Sequence, residues 1–157
     1  HDNHDGEGPS RSVLFLCADI LQGMLVRGVL QNSGIDVRIA VNEQQARAAV
    51  KTFHVDLIMA EWDSEGIDGR SVVADLRSKA QHLFAVPAIL VTYHEINEMI
   101  RFDLSQQGFR CILQKPIVAT SLPKLIKSLI EEEPSFSARF ISCGETASSM
   151  ALDAVRV

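Results

Sequence analysis

The chain has 157 residues, 46% of them hydrophobic and 22% charged, with a formal net charge of −5. That length suffices for one compact domain with a real core, and the acidic balance argues against binding nucleic acid. No apolar run approaches the ~20 residues that span a bilayer, so no membrane contact is expected.

His1 to Ser10 is polar, without periodicity, and reads as a linker or remnant (residues 1–10); a chain starting at His1 rather than Met reads as an excised or processed piece. Val13 to Cys17 is the first apolar run. Asp19 can cap a helix from Ile20 to about Gln31, with Leu21, Met24, Leu25, Gly28 and Val29 at helical spacing and Gly34 closing it. Val37 to Val41 is a second strand. Asn42 caps a second helix whose stripe is Ala46, Ala49, Val50 and Phe53. Val55 to Glu61 is a third strand, and Arg70 to Lys79 is a helix with Val72, Val73 and Leu76 inward.

Val86 to Thr92 forms the fourth strand, with Pro87 near its start. Glu95 to Gln107 is a helix with Ile96, Met99, Ile100 and Leu104 on one side, closed by Gly108. Phe109 to Gln114 is the fifth strand. Thr120 or Ser121 caps the last helix, with Pro123 in its first turn. Five strand–helix alternations with short connections predict a parallel, doubly wound α/β sheet with helices on both faces. The compact domain is expected over residues 11–133. Residues 134–157 form a tail in which Phe136, Phe140 and Ile141 can pack back and Thr146 to Arg156 can form a short helix. Cys17 and Cys111 fall in apolar runs and Cys143 in the tail; that is too few for a disulfide framework and fits a reducing, cytoplasmic setting.

Polar residues gather where these strands end. Glu61 and Asp63 follow the third strand, Thr92 ends the fourth and Lys115 follows the fifth. In open parallel sheets, ligands and chemistry sit at the carboxyl ends of the strands. With the Asp68-Gly69 turn and the Lys115-Pro116 step, this pattern resembles the receiver domains of two-component response regulators over about Arg11 to Glu133. The resemblance implies a flavodoxin-like sheet of order 2-1-3-4-5. It places Glu61 at the phosphoacceptor position, Thr92 at the switch position and Lys115 at the lysine position. It also implies a cis bond before Pro116.

The departures from that family carry the functional reading. The acidic pair that holds magnesium falls at Cys17 and Ala18, with Asp19 one position late. The phosphoacceptor is Glu61 rather than Asp, and the aromatic switch position is Ile112. Ala18 offers no oxygen, and a thiol is a poor ligand for a hard cation. Asp19, Glu61 and Asp63 remain as weak metal candidates. The extra methylene of Glu61 displaces its oxygen by roughly 1.5 Å, and a misplacement of about 1 Å can cost on the order of 100-fold in rate. Its longer arm can instead reach Lys115.

The resemblance therefore implies a pseudo-receiver with no catalytic site, metal or cofactor, acting through phosphorylation-independent contacts with proteins. It would be part of a hybrid histidine kinase or multidomain regulator, with neighbouring domains, a protein partner or a second copy as occupant. The expected face carries Tyr93, Arg101, Arg110, Lys124 and Lys127; Tyr93 either crowds the pocket or lies outward. Two alternatives are a nucleotide second-messenger sensor using Arg101 and Arg110, or Arg70 and Arg77, and an atypical receiver that still accepts phosphate.

Overall fold

The computed structural model describes residues 11–62, 67–132 and 141–142. The N-terminal segment 1–10, Asp63, Cys143, Phe136, Phe140 and the helix expected over Thr146 to Arg156 lie outside the described residues. Strands β1 (Arg11–Leu16), β2 (Ile35–Ala40), β3 (Leu57–Glu61), β4 (Ala88–Thr92) and β5 (Phe109–Gln114) alternate with helices α1 (Ile20–Asn32), α2 (Glu43–Thr52), α3 (Gly69–Lys79), α4 (Glu98–Gln106) and α5 (Leu122–Glu131). The sheet is parallel, with the expected order β2-β1-β3-β4-β5. A two-residue strand from the tail, β6 (Ile141–Ser142), adds in parallel to β5.

The central strands are buried on both faces. Leu14, Leu16, Ile58, Ala60, Leu90 and Ile112 pack on one side of the sheet; Val13, Phe15, Leu57, Met59, Ile89, Val91, Cys111 and Leu113 pack on the other. Continuous apolar strands are what a sheet covered on both faces requires.

Capping sets most helix starts. Asp19 accepts from the backbone N–H groups of Leu21 and Gln22, Asn42 from Gln45, and Asp68 from Arg70. Gly34 and Gly108 both have positive φ, 81° and 90°, where a side chain would be strained. The fourth helix begins at Glu98 rather than Glu95, because Asn97 caps the N–H of Ile100.

Two apolar stripes read from helical spacing are buried only in part or not at all. In α1 the buried residues are Gly23, Val26 and Leu30, while Leu21 and Leu25 are 74% and 64% exposed. Gly23 lets the helix close on Ile39: a Cβ there would lie 3.0 Å from that side chain. In α4 only Leu104 is buried, Ile96 and Ile100 are partly covered, and Met99 is exposed.

Arg77 is also corrected. Sequence reading offers it as an exposed anion contact, yet it is 4% exposed. Its Nε donates to the carbonyl of Leu83, and its Nη atoms donate to those of Gln107, Val86 and Gly108. Burial and the charge of Arg110 push its pKa down. The guanidinium ties α3 to the 3-10 turn Gln81–Ala85 and to the loop entering β5.

Candidate functional site

The ends of β1, β3, β4 and β5 bring four side chains to one edge. Glu61 is the last residue of β3, beside Val91 of β4. Backbone bonds hold the neighbouring strand ends together: Trp62 N–H donates to the Val91 carbonyl and Lys115 N–H to that of Thr92, both near 3 Å. Gly69, the first residue of α3, packs directly against the end of β3. A Cβ at this position would sit 2.4 Å from the Glu61 carbonyl oxygen, so only glycine lets the helix approach.

Glu61 is fully buried, and Lys115 Nζ lies 2.7 Å from its Oε2, with the lysine side chain 7% exposed. The Lys115–Pro116 bond is cis. Tyr93 lies both outward and over the site: it is 68% exposed, yet Lys115 Nζ sits 4.6 Å from its ring centroid. Thr92 is buried, and its hydroxyl accepts from the backbone N–H of His94 at 3.0 Å. The His94 ring meets Trp62 edge-on at 5.4 Å, and the Arg70 guanidinium covers Trp62 at 5.0 Å. Arg70 is therefore engaged with an aromatic face rather than presented outward as a free anion contact.

Cys17 follows β1 and is fully buried. Its thiol donates to the Asp19 carbonyl at 3.1 Å. Desolvation first, then the negative charge of Glu61, pushes its pKa up to about 12. Ala18 contributes no donor. Asp19 is turned to its capping role on α1. Among the described residues, no group of three His, Cys, Asp or Glu side chains is placed to hold a metal ion.

A raised thiol pKa has a testable sign. Against the ordinary value of 9.0, about 12 lowers the thiolate fraction at pH 8 by ~1000-fold, and the thiolate is the reactive form. Cys17 in the folded chain is expected to resist a charged disulfide reagent at pH 8 until denaturant is added. The contribution of this group to stability is whole below about pH 9 and is lost as pH rises towards 12. Urea midpoints of wild type and Cys17→Ala are expected to converge over that range; a constant difference would contradict the shift.

The sequence model of the response regulator receiver domain family matches residues 19–127, more than half of the chain. The chain belongs to that family. The solved structures agree on the fold. A chemotaxis protein CheY4 from Vibrio cholerae is 22% identical at a TM-score of 0.69, covering 77% of this chain and 99% of its own. A two-component response regulator from Clostridium difficile is 20% identical at 0.68, covering 78% and 98%. The receiver domain of the Francisella response regulator 1452 is 21% identical at 0.67, with the same coverage. No curated protein sequence matches.

A receiver uses magnesium to neutralise a cluster of carboxylates and the incoming phosphoryl group, and the residues here do not fit that ion. A neutral thiol and an alanine stand at Cys17 and Ala18, where the family resemblance expects the acidic pair. The carboxylate of Glu61 already has an ammonium at 2.7 Å. The fully buried carboxylate is already paired, and Cys17 and Ala18 add no negative charge, so the described residues offer a dication little further attraction.

Of the residues expected on the interaction face, Tyr93 and Lys124 are exposed, while Arg101 and Lys127 are half-buried. Arg110 sits elsewhere: it lies at the start of β5, paired with Glu132 at 3.2 Å. There it helps line a cavity of about 320 Å³ with His54, Asp56 and His82 at the opposite end of the strands. Sequence reading missed exposed Phe102 and Val118, 63% and 62% accessible, near the same α4–β5–α5 side. For Phe102 the signal was an apolar residue of α4 outside the expected helical stripe; Val118 lies in the loop after β5, where no period could mark it.

Proposed function

We propose that this receiver is a pseudo-receiver, a signalling module that neither holds magnesium nor accepts a phosphoryl group and acts through protein–protein contacts. The observation that carries this is the buried Glu61–Lys115 ion pair at 2.7 Å, beside a neutral Cys17. The lysine that would meet a phosphoryl oxygen is instead committed to a fixed carboxylate. Thr92, whose hydroxyl would follow the phosphate, accepts from its own turn. On this reading the domain has no enzymatic activity and keeps one surface state.

The docking face is the one around α4, β5 and α5. Tyr93, Met99, Phe102 and Val118 are all more than 60% exposed there, beside Arg101, Lys124 and Lys127. Large apolar groups ringed by charge are the composition of a protein interface. A hybrid histidine kinase or multidomain regulator in the cytoplasm is the setting proposed; no described helix is long and apolar enough to cross a membrane. The nucleotide-sensor alternative loses support where it relies on Arg70 and Arg77, because Arg77 is buried and Arg70 covers Trp62.

A titration of the full chain with magnesium and beryllofluoride, followed by amide NMR, tests the proposal. The amides of Glu61, Thr92 and Lys115 are expected to stay in place. Saturable shifts at these three would mean that the phosphate site survives, and the reading would fall.

A further inference from the structure

The cavity at the far end of the strands from Glu61 combines an apolar floor with a charged rim. Its volume is about 320 Å³, at the small end of the ~300–1,000 Å³ range of small-molecule sites. The loops entering β3 and β4, the start of β5 and the end of α5 meet there. Val55, Val86, Pro87 and Leu129 supply the floor. Val55 and Leu129 also belong to the core, 4% and 2% exposed, so this floor is held by the packing of the domain itself.

The rim carries a cation and an anion side by side. Arg110 Nη1 donates to Glu132 Oε1 at 3.2 Å, and the two side chains are 13% and 38% exposed. A guanidinium has five N–H donors; among the described residues, Glu132 is the one acceptor that Arg110 meets, and Oε2 of Glu132 meets no donor. Asp56, the other acid of the lining, is engaged on both oxygens, by the Ser12 N–H and by His54, each at 2.9 Å. Arg77 lies close enough to Arg110 for the two charges to repel, which helps to lower the pKa of Arg77. A carboxylate bound at Arg110 would relieve that repulsion.

A simple anion in this cavity is repelled by Glu132, and a simple cation by Arg110. A zwitterion meets both with the right sign. We infer that the cavity binds a free apolar α-amino acid. Its carboxylate accepts from Arg110, its ammonium donates to Glu132, and its side chain lies on Val55, Val86, Pro87 and Leu129. An α-amino acid holds its two charges on either side of one carbon, so it can meet an arginine and a glutamate that are in contact. The floor offers no polar side chain to a polar ligand side chain, which would be buried there at a cost. Glu61, Thr92 and Lys115 are not among the lining residues, so the inference stands apart from the pseudo-receiver reading.

An amide NMR titration of the full chain with L-leucine tests it. Saturable shifts are expected at Val55, Val86, Arg110 and Ile130, half complete below about 10 mM. Isocaproate lacks the ammonium, isoamylamine lacks the carboxylate, and glycine lacks the side chain. Each is expected to bind at least about 10-fold more weakly than leucine. Glu132→Gln changes a residue at the surface and is expected to weaken leucine by about 10-fold without weakening isocaproate. The absence of saturable shifts with leucine overturns the inference. So does any of the three fragments binding as tightly as leucine, and so does an unchanged leucine affinity in Glu132→Gln.

Discussion

Replacing Lys115 by alanine is expected to destabilise the domain by about 3–5 kcal/mol, the cost of leaving a buried charge without its partner. Glu61 is fully buried, and the lysine side chain that brings the ammonium to 2.7 Å is 7% exposed, so water cannot readily replace it. With a urea slope of about 1–3 kcal/mol per molar, the midpoint should fall by at least about 1 M. Glu61→Leu with Lys115→Met removes both charges and fills similar space. That double variant is expected to recover most of the loss, and such replacements are often neutral or stabilising by about 1–4 kcal/mol. A double-mutant cycle built from the single variants Glu61→Leu and Lys115→Met and this double isolates the pair. A cost below about 1 kcal/mol for Lys115→Ala would instead describe a solvated surface pair. The pocket would then be open to water, and the argument for a committed lysine would fail.

The second large effect is a gain. The triple variant Cys17→Asp, Ala18→Asp, Glu61→Asp restores the acidic residues that the family resemblance places at these positions. The pocket then carries three carboxylates against Lys115, a net charge that favours a dication. With magnesium and acetyl phosphate, intact mass is expected to rise by one phosphoryl group in the triple variant and not in wild type. Without magnesium the variant should be less stable than wild type, because three carboxylates repel one another in a small space. Magnesium at 100 times its dissociation constant would return about 2.7 kcal/mol. Phosphorylated wild type, abolished by Glu61→Gln, would refute the pseudo-receiver reading. A triple variant silent in saturating magnesium would show that these three positions are not what disables the site.

Either result bears on what Glu61 does for signalling. A phosphoryl group would bring about −1.5 to −2 charges to this edge, whereas Glu brings one. That single charge is met by Lys115, while Thr92 is held by the His94 N–H. Ile112, where the family resemblance expects the aromatic switch residue, is fully buried in the core. The pair thus ties β3 to the end of β5, and on the proposed reading the domain's surface does not depend on phosphate.

The sequence by itself determined the sheet and the edge to which Glu61, Thr92 and Lys115 are brought. Continuous apolar runs at β1, β3 and β4 admit only strands covered on both faces, and short connections then dictate parallel order. Glu61, Thr92 and Lys115 each follow such a run, so strand ends alone bring them to one edge. Glycines at 34 and 108 marked helix ends because only they take positive φ cheaply. What the tertiary structure decided was which of two apolar stripes each helix buries. Leu21, Met24 and Leu25 satisfy helical spacing as well as Val26 and Leu30 do; the close approach of Gly23 to Ile39 chose the second set. Arg77 was illegible for the same reason. An arginine on an amphipathic helix reads as solvated, and only the convergence of four carbonyls from distant loops makes its burial tolerable. The tail strand likewise depends on a non-local edge. Two residues carry no period of their own, and only the exposed side of β5 makes Ile141 and Ser142 a strand.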